Sequence, residues 1–227
     1  MHKPLDRFLV DLARLSMPGC FNPWREVCPE LDCHPNEAVA SRVARLRAHL
    51  ENPGVQAVLV GEAPGYQGAR YSGIGFTSER LLLEGAIPWV PRPSGRITTR
   101  PRPFSEPSAT ILWGAFRELG IHQRVALWNS FPLHPHKPGE PLSNRTPTKD
   151  ELEVGGPFVR RLLEEVLPKG VRLIAVGEKA AGTLRGLGFQ VPSDHCLRHP
   201  ANGGATAFRQ GIARLFPGEG RDGSLPF

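Results

Sequence analysis

The run Val55-Gln56-Ala57-Val58-Leu59-Val60, followed at once by Gly61-Glu62-Ala63-Pro64-Gly65-Tyr66-Gln67-Gly68, constrains this chain more than any other stretch. Six residues with one polar member, closed by glycine and proline, read as a strand buried on both faces that ends in a sharp loop. Beyond the loop come Gly73, Phe76 and Thr77, then a helical pattern over 78–85. A strand, a Gly/Pro loop and a helix in this order belong to an α/β sheet. In such sheets ligands bind at the carboxyl edge of the strands, where Glu62 is expected to stand.

The rest of the chain supports that architecture. Leu5, Phe8, Leu9, Leu12 and Leu15 share one face of a helix over 5–15. A Pro-rich loop over 17–35 leads to a helix over 36–50. Its apolar face is Val39, Val43, Leu46 and Leu50, and Arg42, Arg45 and Arg47 are expected mostly on its wet side. A helix over 108–119 stops at Gly120, and a short buried strand over 125–128 ends in Asn129. Thr148 with Glu151 forms a capping box for a helix reaching 167, interrupted near Gly155-Gly156-Pro157. A strand over 171–176, a helix over 180–187 and a final helix over 205–216 follow. Strands alternating with helices predict a three-layer αβα sandwich around a short, mainly parallel sheet.

The 227 residues are enough for one sizeable core. They read as a single domain: a helical region over 1–53, a core over 55–216 and a loose tail over 218–227. No run of eighteen apolar residues is present. Charges come early at the amino terminus, where a signal peptide would be apolar, so a cytoplasmic monomer is expected. The net charge of +6 fits a polyanionic partner. It concentrates in a segment over 88–107 that carries six prolines and Arg92, Arg96, Arg100 and Arg102, with no acid between Glu84 and Glu106. So long a loop is either a strap that contacts phosphates or a solvated surface segment. Of the four cysteines, Cys20, Cys28 and Cys33 lie close together beside His34, but no pair has the two-residue spacing of a zinc or iron–sulphur clip. Free thiols are the simpler reading, and no metal or other cofactor is expected.

Parallel strands deliver Glu62, Asn129 and His199 to one edge of the sheet. Each alone has an ordinary structural role open to it, as a cap, a turn former or a buried hydrogen bonder. Together they surround a Gly-lined hollow with a carboxylate, an amide and an imidazole, and Phe76 is nearby. A carboxylate activates water, an imidazole stabilises a departing anion, an amide reads a polar edge and an aromatic ring stacks on a flat group. A planar heterocycle satisfies all four.

These residues resemble a family. Gly61-Glu62-Ala63-Pro64-Gly65, Gly73-Ile74-Gly75-Phe76-Thr77, Asn129 and His199-Pro200-Ala201, in this order, are similar to the motifs of the uracil-DNA glycosylase superfamily. The Gly-Glu-Ala-Pro-Gly form is that of its iron–sulphur branch. Asn144-Arg145-Thr146-Pro147-Thr148 and the stretch from Val176 to Ala181 resemble that branch too. The resemblance covers about residues 55–216 and implies the αβα fold. It implies that Glu62 holds or activates the attacking water, that Phe76 stacks on an extruded uracil and that Asn129 pairs with its polar edge. It implies that His199 hydrogen-bonds uracil O2. Gly61, Ala63, Pro64, Gly65 and Tyr66 would line the base pocket. Arg198, Ala201, Asn202 and Gly203 would meet the DNA, with residues 200–204 pressing into the duplex. Ala63 stands where the best-studied branch has a catalytic aspartate, and the 200–204 loop lacks a bulky wedge. The cluster cysteines of the iron–sulphur branch are missing: the positions expected to hold two of them are occupied by Leu133-His134-Pro135 and Gly155-Gly156. The expectation is a monofunctional DNA glycosylase of a separate branch, acting on uracil in DNA after base flipping and without a cluster. It favours U opposite G, because a mispaired base leaves the stack more easily. Gly65 stands where the uracil-specific branch has a tyrosine that blocks the 5-methyl of thymine, so some activity on 5-substituted uracils such as 5-hydroxymethyluracil, and weak activity on thymine opposite G, is expected. The alternatives are a glycosylase for hypoxanthine, xanthine or a 5-substituted uracil, a damaged-DNA-binding protein that does not cut, and a nucleotide-binding domain. The last lacks a Gly-Lys-Ser/Thr phosphate loop.

Overall fold

The computed structural model describes residues 3–217; the tail expected over 218–227 lies outside them. In chain order the elements are α1 (Pro4–Arg14), β1 (Cys20–Phe21), α2 (Pro35–Leu50), β2 (Ala57–Gly61), α3 (Ala69–Ser72), α4 (Glu79–Leu83), α5 (Pro107–Glu118), β3 (Val125–Asn129) and β4 (His134–Pro135). Then come α6 (Lys149–Arg161), a wide π turn (Leu162–Val166), β5 (Arg172–Val176), α7 (Glu178–Gly186), β6 (Cys196–Leu197) and α8 (Ala205–Leu215). Helices α1, α2 and α5 each start on a proline, whose fixed φ suits the first turn and whose missing N–H would have had no helical partner. The Thr148–Glu151 capping box is formed in both directions.

The main sheet is parallel, in the order β3-β2-β5-β6. Alternate strand residues face opposite layers. Ala57, Leu59, Val125, Leu127, Ile174 and Val176 pack with Leu81 of α4, Trp113 and Phe116 of α5, and Phe208 and Ile212 of α8. Val58, Val60, Ala126, Trp128 and Ala175 pack with α1, α2, α6 and α7 through Phe8, Leu46, Phe158 and Ala181. This is the expected three-layer sandwich. The fourth strand, β6, and the antiparallel β1–β4 pair are additions; two residues are too short to show a period. On the edge strand β3, the Leu127 N–H is taken by buried His49 of α2 at 2.9 Å. Burial pushes that imidazole down to about 4, so it is neutral and able to accept.

Three local expectations are corrected. Arg42 and Arg45 are buried, 1% and 7% exposed, and do not lie on the wet face of α2. Arg42 forms an ion pair with buried Asp32 and donates to the carbonyls of Pro23, Glu26 and Tyr71. Arg45 donates to those of Ser72 and Tyr71. The two guanidiniums thus hold the loop before α2 and the short helix α3 against α2. Secondly, α6 is not interrupted at Gly155-Gly156-Pro157. Gly155 packs so tightly on the Ser130 carbonyl that a side chain there would collide, and the helix stays regular up to the π turn. Thirdly, the helix expected over 78–85 is only the five residues of α4.

Candidate active site

The strand ends are latched together at the carboxyl edge. Gly61 and Asn129 are paired in register. The Gly61 carbonyl accepts from the Ser130 N–H (2.8 Å) and hydroxyl (3.1 Å), and the Glu62 carbonyl accepts from the Phe131 N–H (3.0 Å). Over this edge opens a cleft of about 660 Å³. Glu62, Ala63, Pro64, Gly65, Phe76, Asn129, Arg198, His199, Ala201 and Asn202 line it, as expected from the sequence.

Asn129 is fixed by its neighbours' lack of side chains. A Cβ on Gly61 would lie 2.8 Å from Asn129 Oδ1 and 2.5 Å from the Phe76 ring. One on Gly75 would lie 3.3 Å from Asn129 Nδ2. The amide therefore sits in a slot between two glycines, beside the Phe76 ring. It is 6% exposed, and among the described residues its side chain has no hydrogen-bond partner. Phe76 adopts φ +49°, unfavourable for an aromatic residue. Its carbonyl accepts from the Trp113 indole at 3.0 Å, which holds it there. The Phe76 and His199 rings are 6.0 Å apart at 42°.

His199 receives the Ala201 N–H on Nδ1 at 3.2 Å. Burial, and then the charge of Arg198, hold its pKa below the usual imidazole value. A neutral ring whose Nδ1 accepts carries its proton on Nε2 and can donate from there. Glu62 is half-buried, and burial raises its pKa against the opposing effect of Lys179, whose ammonium is 4.0 Å away. Lys179 also donates to Thr146 Oγ1 at 2.9 Å. Asn202 and Gly203 both have positive φ and form an exposed turn at the mouth.

Several expected residues lie elsewhere. Gly61, packed against Phe76 and Asn129, and Gly203 do not line the cleft. Tyr66 packs edge-on against Phe104, centroids 6.0 Å apart, and is also absent from the lining. None of the strap arginines reaches the cleft. Arg96 is engaged by the carboxylate of Glu79 at 2.8 Å, whereas Arg92, Arg100 and Arg102 are exposed. Glu79 is fully buried. It accepts from Arg96, from the Ile97, Thr98 and Phe104 N–H groups and from the Thr98 hydroxyl. One carboxylate thus staples the strap between Arg96 and Phe104.

Sequence reasoning missed a second group of lining residues: Gln67, Glu106, Ser108, Asn144, Arg145, Thr146 and Lys179. The only signal for 144–146 was their likeness to the iron–sulphur branch. This segment forms a wall because Asn144 Oδ1 accepts the Tyr66 N–H at 3.0 Å and Arg145 binds Glu151 through two nitrogens, at 2.6 and 2.7 Å. Glu151 also accepts from the thiol of Cys20, at 3.0 Å. Leu133 is packed with Cys20 and Phe131, and Gly155 has no room for a side chain. These residues do not fit an iron–sulphur cluster. Among the described residues no three His, Cys, Asp or Glu side chains gather as a metal site.

No curated protein matches the chain. Among solved structures, the wild-type SMUG2 of Pedobacter heparinus superimposes with a TM-score of 0.66 at 16% identity, covering 95% of this chain and 97% of that one. This likeness is one of fold. The profile of the uracil DNA glycosylase superfamily matches residues 48–215, a span that holds every motif of the cleft. The chain therefore belongs to the uracil DNA glycosylase superfamily, whose members are DNA glycosylases of DNA repair.

Proposed function

We propose that this glycosylase acts on uracil, hydrolysing its N-glycosidic bond after the base has left the DNA stack. The observation that carries this reading is the Asn129 amide, buried beside an aromatic ring and hydrogen-bonded to no protein group among the described residues. The amide faces the cleft and is not among the buried unpartnered groups, so a base that displaces its water must supply both a donor and an acceptor or leave it unpaired at a cost of about 1–3 kcal/mol. The N3–H and O4 of uracil present that pair on one edge. With the ring on Phe76, O2 is turned toward His199, whose Nε2–H donates to it.

The reaction then needs no other group. Water held at Glu62 attacks C1′ and passes its proton to the carboxylate. The C1′–N1 bond breaks, and its electron pair stays on the base as an anion shared between N1 and O2. A neutral imidazole that is already a donor stabilises this anion without reorganisation. Arg198, exposed at the cleft and without an acid partner among the described residues, is placed to meet a phosphate beside the flipped nucleotide. The protein acts as a monomer in this reading, in the cytoplasm.

The test is single-turnover cleavage of oligonucleotides carrying uracil opposite G, uracil opposite A, hypoxanthine or xanthine. Uracil release, faster opposite G, is the expected result. Release of a purine alone would replace the substrate, and tight binding without release would replace the activity.

A further inference from the structure

Glu106 lines the cleft and, among the described residues, has no cation beside it. Its Oε1 accepts from the Ser108 hydroxyl at 2.5 Å, and this is its single side-chain hydrogen bond among the described residues. Its Oε2 lies against Gly68, where any side chain would collide with it. Burial raises its pKa and Ser108 lowers it less. Nothing in the water-activating or anion-stabilising groups described above uses it. An under-paired carboxylate facing a cavity, with a glycine making room for it, calls for a ligand contact.

The order of atoms around a pyrimidine ring says which contact. With O2 at His199 and the N3–O4 edge at Asn129, C5 faces the wall that remains. The lining left for that side includes Gly65 and Gln67 of the loop after β2, Asn144 beside Gly65, and Glu106, whose carboxylate lies against Gly68 of the same loop, with Ser108. Gly65 has no side chain to block a substituent, and its nearest neighbour at that side is the Asn144 amide, 3.7 Å from where a Cβ would be. Tyr66 has turned onto Phe104. The wall is therefore open in space, and Glu106, Ser108, Gln67 and Asn144 bring polar groups to it beside Pro64 and Pro107.

Resting on the reading of the cleft as a uracil site, we propose that Glu106, backed by Ser108, is a specificity-determining residue that gates the 5-position by polarity and not by bulk. A 5-methyl group, as in thymine, would strip water from the carboxylate and give nothing back. A 5-hydroxymethyl group would strip the same water and donate its own O–H. Hydrogen at C5 leaves the carboxylate hydrated. The gate thus admits uracil and uracils with a donor at C5, and rejects thymine.

The experiment is a set of single-turnover rates for uracil, 5-hydroxymethyluracil and thymine, each opposite G, for wild type, Glu106→Leu, Glu106→Gln and Ser108→Ala. The wild type should release 5-hydroxymethyluracil within about tenfold of uracil and thymine at least about 10²-fold more slowly, the scale of one unpaired buried polar group or more. Glu106→Leu should narrow the uracil–thymine gap by about tenfold and widen the uracil–hydroxymethyluracil gap by a similar factor. Glu106→Gln and Ser108→Ala should shift the same ratios in the same direction by less, and they decide the matter should the leucine variant not fold. A purely structural Glu106 would lower all three rates in proportion. Unmoved ratios in folded variants, or a wild type that releases thymine as readily as 5-hydroxymethyluracil, overturn the gate while leaving uracil release intact. A wild type that releases no uracil overturns the proposed function itself, and the gate with it.

Discussion

Glu79 and Glu106 flank the same arginine-rich strap, and the chain treats them in opposite ways. Glu79 is fully buried and accepts five hydrogen bonds. Burial alone would raise its pKa, but Arg96, Thr98 and the Phe104 N–H outweigh it and hold it below the usual carboxylate range. Glu151 behaves likewise: against burial, Arg145, Cys20 and the Thr148 N–H bring it down to about 2. Glu106 and Glu62, both in the cleft wall, are shifted upward by burial, with one weak compensation each. Saturated carboxylates hold loops; under-paired ones mark where water, substrate or protons are to be handled. The direction of the shift separates scaffold from site, although all four residues are the same amino acid.

The largest expected effect tests the cleft side of this comparison. Glu62→Gln should lower single-turnover cleavage by about 10²–10⁴-fold, the usual loss on removing a positioned base. The melting temperature should hold steady or rise. His199→Ala should cost about 10²–10³-fold, the loss of one preorganised donor, with DNA affinity little changed. Wild-type cleavage by either variant would take that side chain out of the mechanism.

Next comes the scaffold side. Glu79→Ala leaves Arg96 unpaired and three strap N–H groups without acceptors, so it should destabilise by about 3–5 kcal/mol. Denaturant unfolding checks this, and a cost under about 1 kcal/mol would mean that solvent replaces those bonds.

The pH dependence should be smaller and opposite for the two classes. Glu79 and Glu151 have depressed folded pKa values, so their stabilisation is complete above the ordinary carboxylate pKa and is lost as the pH falls. For Glu151 the loss spans from about 4.5 down to about 2. Glu106 is raised, so its contribution is complete at low pH and declines as the pH climbs through its folded pKa. Glu106→Gln should therefore raise the melting temperature slightly at neutral pH, whereas Glu151→Gln should lower it. Thermal melts at pH 3, 5 and 7.5 read both signs. A fall on Glu106→Gln at neutral pH would move Glu106 to the scaffold class.

The sequence by itself determined the layers and the strand-end residues. The apolar run before Gly61, the 3.6-residue spacing of Phe8, Leu9 and Leu12, and the capping box at Thr148 are local patterns, and backbone geometry converts each into an element without knowledge of the rest. Parallel pairing then had to bring Glu62 and Asn129 to one edge, whereas His199 arrives there just after β6, a two-residue strand with no period to read. Only the tertiary structure decided how the charges are partnered. Arg42 looked wet on its helix until Asp32, across the loop before it, took its guanidinium. Arg96 looked free until Glu79 claimed it. Glu106 looked like the acidic end of a basic strap until the fold left it in the cleft without a cation, and Asn144 became part of the wall only by accepting from Tyr66, 78 residues earlier. Periodicity records where a side chain points. It does not record what stands opposite, and for buried polar groups the difference between an anchored residue and an available one lies wholly in that partner.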